Sequence, residues 1–355
     1  MAVYNAGPFL HEAVASVLAQ TFADFELICV DDASTDDSLA ILRGFRDRRI
    51  QIIHHDTNLG QALSRNDAMA AARGEYLAIM DADDVCEPER LERQVTFLDG
   101  NSAVGLVGCG MYSNIDQSGA LLYTTRLPED NETIQRTLVK RWCFFHSSIM
   151  LRRSIQQSVG GYRKQLEPAE DHDFILRILE LSQAHNLQEP LVRYRLNPEG
   201  ISVVGHQYIE KVGAIAMRMA RRRRCGQPED LEAEAPLIAE LKNRWKRRQG
   251  FAGAVQKWSD SFYAADRIYG FGCRELYAGN LDTAHACFAR SLRNNPLFVK
   301  SWIGLALSRM PFAARRLKYA FRRSMEQHRE LNETVSSVRR HSCPSVTVTE
   351  SQRDQ

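Results

Sequence analysis

Two groups of adjacent carboxylates in this chain stand where apolar runs end. Phe25-Glu26-Leu27-Ile28-Cys29-Val30 leads into Asp31-Asp32, and Glu75-Tyr76-Leu77-Ala78-Ile79-Met80 leads into Asp81-Ala82-Asp83-Asp84. Side chains alternate along a strand, so Asp81 and Asp83 fall on one side of the chain. Two hard oxygen donors in that relation suit Mg²⁺ or Mn²⁺, through which an acidic site can hold a phosphorylated ligand. The local alternative is helix capping, with Asp84 before Pro88-Glu89-Arg90-Leu91 and Asp31-Asp32 before a helix near Thr35. A third group, Glu170-Asp171-His172-Asp173, precedes an amphipathic stretch from Phe174 to Leu181. Capping alone explains one acid there, and four ionisable residues in a row exceed what a cap needs.

The elements that must position these groups alternate in type. Residues 10–20 repeat apolar positions at helical spacing, and 25–30 read as a buried strand. A helix over 36–46, a strand at 50–54, a helix over 60–73 and a strand at 75–80 follow. That order predicts right-handed crossovers and a parallel sheet covered on both faces, with ligands collecting at the carboxyl ends of its strands. Met1-Ala2-Val3-Tyr4 reads as the end of a first strand, so either the chain starts at an internal methionine of a longer product or that strand is short. Gly105-x-x-Gly108-x-Gly110 lacks the order of a dinucleotide fingerprint and reads as a loop.

Four pieces stand in order in the first half: Val3-Tyr4-Asn5; Val30-Asp31-Asp32-Ala33-Ser34-Thr35-Asp36; Asn58-Leu59-Gly60 with Ser64-Arg65-Asn66; and Met80-Asp81-Ala82-Asp83-Asp84. With His146-Ser147-Ser148, Gly160-Gly161-Tyr162, Glu170-Asp171 and Tyr194-Arg195 beyond them, the region to about residue 204 resembles the family 2 glycosyltransferases. The resemblance implies the GT-A fold, an α/β Rossmann-like arrangement with a mostly parallel sheet. It implies a nucleotide-sugar donor and a sugar or lipid-linked acceptor. Asp83 would be the direct metal ligand, with Asp81 facing the ribose or the metal. Asp32 would accept the imide N–H of the base, with Asp31 beside it, Tyr4 against the ring and Asn5 nearby. Asp171 would be the catalytic base and Glu170 would orient the acceptor. Arg65 either reaches the diphosphate or is a solvated surface arginine. His146 either lines the acceptor pocket or is a hydrogen-bonded core histidine. Where relatives carry Tyr-Arg-x-His, this chain has Tyr194-Arg195-Leu196-Asn197, which puts in doubt any metal or phosphate role of that last position.

One base and no enzyme nucleophile imply a single displacement with inversion. Two other classes compete with this reading. One is a degenerate domain that only recruits a partner, against which intact Asp32, Asp83 and Asp171 argue. The other is a nucleotidyltransferase, which would want a cation-bearing glycine loop where Asn5-Ala6-Gly7-Pro8 supplies none. Release of nucleoside diphosphate rather than pyrophosphate separates the transferase from the latter.

Length and composition bound the rest. At 355 residues, 44% hydrophobic and 25% charged, with 21 Gly and 11 Pro, the chain reads as a soluble protein of about two domains rather than a fibrous or disordered one. It has no apolar run long enough to cross a membrane and no secretory signal at its start. Its eight cysteines include no CxxC pair, so they read as reduced cytosolic thiols and neither sequon, at Asn131 or Asn332, is expected to be glycosylated. Residues 1–204 carry a net −10 and residues 205–355 a net +12. The break predicts a boundary there, between an α/β domain and a basic helical region over 205–334, with a disordered tail over 335–355. Arg221 to Arg224, the cluster at Arg244 and Lys246 to Arg248, and the cluster from Arg315 to Arg323 lie along helices without a nucleic-acid-binding motif, so no nucleic acid partner is expected. They predict internal pairing with the acidic half, or peripheral docking on the inner face of a membrane or on an acidic protein. Within 265–310, Gly272, Gly279, Ala284, Phe288, Pro296, Trp302, Leu305 and Ala306 weakly resemble tetratricopeptide spacing.

Overall fold

The apolar run that ends at Asp31 is a strand buried at every position. It is β2 (Leu27–Asp31), lying between β1 (Ala2–Val3) and β3 (Ile50–His54) and parallel to both. Helices follow these strands in the expected alternation: α1 (Gly7–Leu18) joins β1 to β2, α2 (Ser38–Gly44) joins β2 to β3, and α3 (Gln61–Ala71) leads on from β3. Helix α1 buries Leu10, Ala13, Val14 and Val17, one face at helical spacing. It has no side-chain cap of its own. The loop after β2 supplies one, since the Gly7 N–H donates to Asp36 Oδ2 at 3.0 Å and the Ala6 N–H to Ser38 Oγ at 2.9 Å. This is the computed structural model of the chain, and it describes residues 1–115, 118–138, 141–197, 202, 206–251, 265, 269, 273, 276 and 281–309.

The parallel order does not continue into the next strand. β4 (Tyr76–Ala78) pairs antiparallel with β8 (Met150–Arg152) in a second, mixed sheet. That sheet also contains β5 (Val85–Cys86), β6 (Val104–Ile115), β7 (Leu121–Arg126) and β9 (Gln183–Arg195). Its order is β4-β8-β6-β9-β5 with β7 on β6, and only β6 and β9 run parallel. Four helices belong to this part: α4 (Arg90–Gly100), α5 (Asn131–Leu138), α6 (Arg153–Val159) and α7 (Glu170–Leu181). Along β6, Leu106 packs with α7 residues Phe174 and Ile178, while Val107 packs with Leu91 and Leu98 of α4. The two helices therefore cover opposite faces.

The stretch Gly105 to Gly110, read from sequence as a loop, lies inside β6. Each of its glycines faces a side chain of the neighbouring segment: Gly105 meets Ser182, Gly108 meets Asn186 and Phe144, and Gly110 meets Gln188. A Cβ at any of them would collide, so these glycines serve close strand packing.

Two compact units result, Met1–Tyr263 and Ala264–Gln355. The charge break at 204/205 thus falls inside the first unit. The reason is apolar packing: on α8 (His206–Arg224), Tyr208, Val212, Ile215 and Met219 join Leu166, Ala169 and Ile238, the last from α9 (Leu231–Phe251). In the second unit α10 (Leu281–Asn294) and α11 (Val299–Ser308) meet where the Phe288 ring lies against Gly304, with Ala284 also buried. Gly272, Gly279, the basic cluster from Arg315 to Arg323 and the tail 335–355 lie outside the described residues. Among the described residues no helix is long and apolar enough to cross a membrane.

Candidate functional site

Arg65 is the centre of the site. Ala62 and Met69 pack α3 into the core, and Arg65 is buried on the same helix. Its Nη2 donates to Asp81 Oδ1 at 2.9 Å and its Nη1 to Glu170 Oε1 at 2.6 Å. One buried cation therefore ties the loop after β4 to the first residue of α7. Arg65 is therefore not a solvated surface arginine.

The acids around it differ in environment. Burial would raise Asp81, but Arg65 and then His146 outweigh it and hold the carboxyl well below the usual carboxylate range. Burial, then the charge of Asp81, pushes Asp83 up to about 6. Glu170 is 1% exposed, and burial, opposed by Arg65, pushes it up to about 8; its Oε2 has no hydrogen-bond partner among the described residues. Asp171 is less buried, and its Oδ1 accepts the His172 N–H at 2.8 Å.

Asp84 is not a helix cap, because α4 begins six residues later with Glu89 at its N-cap. Its Oδ1 instead accepts the Arg195 N–H at 2.9 Å. The Arg195 side chain returns to the same loop, donating from Nε to the Asp83 carbonyl at 2.9 Å and from Nη2 to Glu12 Oε2 at 2.6 Å. So Arg195 fixes the acidic loop against α1. His146 sits in a short 3₁₀ turn, His146–Ser148, with Nε2 2.9 Å from the Tyr162 hydroxyl and Nδ1 3.9 Å from Asp81 Oδ1. It is both a hydrogen-bonded core histidine and a neighbour of the acidic loop.

The donor-side residues form a second group at the ends of β1 and β2. Tyr4 is 51% exposed. Asn5, at φ +50°, accepts the Thr35 N–H on Oδ1 at 2.8 Å and so ties the loop after β2 to β1. Asp31 is fully buried: Oδ2 meets His54 Nδ1 at 2.8 Å and Oδ1 has no partner among the described residues. Asp32 does not cap a helix. Its Oδ1 takes bonds from His55 Nδ1 and the Leu59 N–H, both at 2.8 Å, and its Oδ2 takes one from the Gly60 N–H at 2.8 Å. Each carboxylate oxygen has two lone pairs, so among the described residues one acceptor direction on Oδ2 is left open.

Sequence reasoning passed over His54, His55 and Glu167. The histidines were legible as a pair of cross-strand partners for Asp31-Asp32, since Asp31 stands opposite His54 in the β2–β3 register. Glu167, whose Oε1 accepts the Ala62 N–H at 2.7 Å, comes from a distant loop and left no local signal.

A hard divalent cation fits the acidic loop. Among the described residues no side chain donates to the Asp83 carboxylate, and a cation would offset both the burial and the neighbouring Asp81 charge that raise it. No three His, Cys, Asp or Glu side chains converge there as a cage among the described residues, so further ligands would come from phosphates and water.

Residues 1–159 match the family description Glycosyl transferase family 2. The chain is 31% identical over 262 residues to the putative glycosyltransferase EpsE of Bacillus subtilis (strain 168), spanning 70% of this chain and 92% of that protein. It is 28% identical over 271 residues to the uncharacterized glycosyltransferase MJ1057 of Methanocaldococcus jannaschii, spanning 74% and 84%. Among solved structures, S. aureus TarS 1-349 in complex with UDP-GlcNAc superposes with a TM-score of 0.51 at 18% identity, over 91% of this chain and 90% of that one. That likeness bears on the fold, which is GT-A. A sequence match along nearly the whole of a relative carries more, and by it this chain belongs to glycosyl transferase family 2 and is an enzyme that transfers glycosyl groups.

Proposed function

We propose that the enzyme is inverting and metal-dependent, and that it moves a sugar from a UDP-sugar to an acceptor hydroxyl in the assembly of a surface polysaccharide or other glycan. The observation that carries this reading is the Asp81–Arg65–Glu170 bridge, which makes the donor-side loop and the helix start bearing Asp171 parts of one site. Asp83, with Asp81, would hold Mg²⁺ or Mn²⁺. When bound, the cation supplies Lewis acidity and charge neutralisation to the departing nucleoside diphosphate. Asp171 takes the proton of the acceptor hydroxyl as that oxygen bonds to the anomeric carbon, while the bond from that carbon to the phosphate oxygen breaks on the opposite face. Glu170 suits the base role poorly, being buried, bound to Arg65 and raised to about 8, so it is assigned to orienting the acceptor. The open acceptor direction on Asp32 takes the imide N–H of uracil, with Tyr4 over the ring and Asn5 and Asp31 shaping the pocket. The UDP-GlcNAc in the TarS structure supports that donor class.

For the basic helices we favour internal pairing over a membrane surface or an acidic partner. Arg223 pairs with Glu180 of the acidic half, while Arg218–Glu234 and Arg223–Glu229 are pairs within the basic region itself. The α10–α11 pair supports a tetratricopeptide-like reading of that region.

Calorimetric titration of UDP with and without Mn²⁺ tests the central assignment. Asp83→Asn is expected to abolish the metal-dependent gain in affinity, because an amide is a much weaker ligand for a hard cation. Equal affinity of wild type and variant in Mn²⁺ would remove it.

A further inference from the structure

The two nitrogens of the His55 ring each face a carboxylate. Nδ1 lies 2.8 Å from Asp32 Oδ1 and Nε2 lies 3.0 Å from Asp67 Oδ2. A carboxylate only accepts, and a neutral imidazole has a single N–H, so both contacts hold together only when His55 donates from both nitrogens. The ring is 10% exposed, whereas Asp67, on α3, is 49% exposed. His55 follows the last residue of β3 and its own N–H donates to the Asp31 carbonyl at 2.9 Å, so backbone and side chain are fixed to the same pair of acids. The ring thus joins the end of β2 to the helix that carries Arg65.

We infer that His55 is a positioning residue for base selection: by donating to Asp32 Oδ1, it turns the carboxylate so that the open lone pair of Oδ2 faces the nucleotide base. The inference rests on the proposal that Asp32 reads an imide N–H. Uracil presents that donor at N3; cytosine, with the same ring size, presents a lone pair there and would face the carboxylate oxygen without a bond. A carboxylate held in one orientation separates the two, and one free to rotate separates them less.

Two substitutions divide the contacts of the ring. The amide nitrogen of His55→Asn stands near the position of Nδ1 and can still donate to Asp32. That of His55→Gln reaches further, toward the Asp67 side. The measurement is the ratio of UDP to CDP affinity, by calorimetry on the full chain with Mn²⁺ present and thermal unfolding recorded alongside. The expected result is a ratio near wild type for His55→Asn and a ratio about tenfold smaller for His55→Gln, in line with loss of one charge-assisted hydrogen bond. Similar ratios in the two variants, whatever their melting temperatures, overturn the inference. Asp32→Asn separates the two levels of failure. If it lowers the ratio while His55→Gln does not, His55 has no part in selection; if it leaves the ratio unchanged, the reading of Asp32 itself fails, and the inference with it.

Discussion

Asp171 and Glu170 are adjacent and chemically unlike, and the division of labour between them is testable at single atoms. In Asp171→Asn the amide oxygen can still accept the His172 N–H, so the start of α7 survives while the base is lost. Turnover is expected to fall about 10²- to 10⁴-fold with UDP affinity unchanged. A variant that binds donor poorly but transfers normally at saturation would reverse the assignment. His55 gives a pH dependence of stability. Burial opposes its proton, but Asp32 and then Asp67 outweigh burial, and its pKa lies above the ordinary histidine value. Burial would likewise raise Asp32, but His55 and the Leu59 and Gly60 amides outweigh it and lower it. A raised histidine stabilises fully below its unfolded value of about 6.5, and that contribution is lost as pH rises through the folded value. A lowered aspartate stabilises above its unfolded value, about 3.9, and loses that contribution as pH falls. The excess stability of wild type over His55→Gln is therefore expected to peak near pH 5–6, at about 1–3 kcal/mol, and to shrink toward pH 9. Denaturant melts giving a constant difference across that range would count against this account.

Helix α3 shows how an element is placed by partners that its own sequence does not contain. Its N-cap, Gly60, has φ +93° and ψ 159°, a conformation open to glycine, and an added Cβ would stand 2.7 Å from Glu167 Oε1 and 2.8 Å from Oε2. Gly60→Ala is expected to cost about 2 kcal/mol or more and to weaken UDP binding, since the Gly60 N–H also holds Asp32. An unchanged unfolding midpoint would refute the strain argument. The same helix explains what could be read in advance. The apolar run stopping at Asp31 was legible because burial along a strand is written in consecutive residues, and β2 is buried throughout. The run before Asp81 yields only the short β4, which ends at Ala78. The inward course of Arg65 was not legible, because its partners Asp81 and Glu170 lie outside its helix. The antiparallel pairing of Tyr76–Ala78 with Met150–Arg152 was not, because pairing direction is set by a partner more than seventy residues away. Nor was β6, whose glycines look like a loop until Ser182, Asn186 and Gln188 are seen lying over them. Asp84 and Asp32 carried a capping signal that the fold uses for other amides.

At the scale of the molecule, charge and packing divide the chain at different places. The charge changes sign near 205, but Tyr208, Val212, Ile215 and Met219 bury their side chains with Leu166 and Ala169 of the acidic half. Burial is worth about 1.5–3 kcal/mol for a large apolar side chain, so together these rival the net stability of a domain. A fragment of residues 1–204 is accordingly expected to aggregate or unfold, while 1–263 stays folded and monomeric by gel filtration and circular dichroism. A well-folded 1–204 fragment would show that packing does not set the boundary. The Asp32 clasp also bears on how such a chain can vary in length over descent. Asp32 takes its three bonds from residues 55, 59 and 60, so the chain in effect counts from the end of β3 to the start of α3. Residues gained or lost between the end of α2 and Ile50 leave that count intact. One residue gained or lost between Ile50 and Gly60 turns the histidine to the other face of the sheet or pulls the amides out of reach, so heritable length change is confined to the first of these segments.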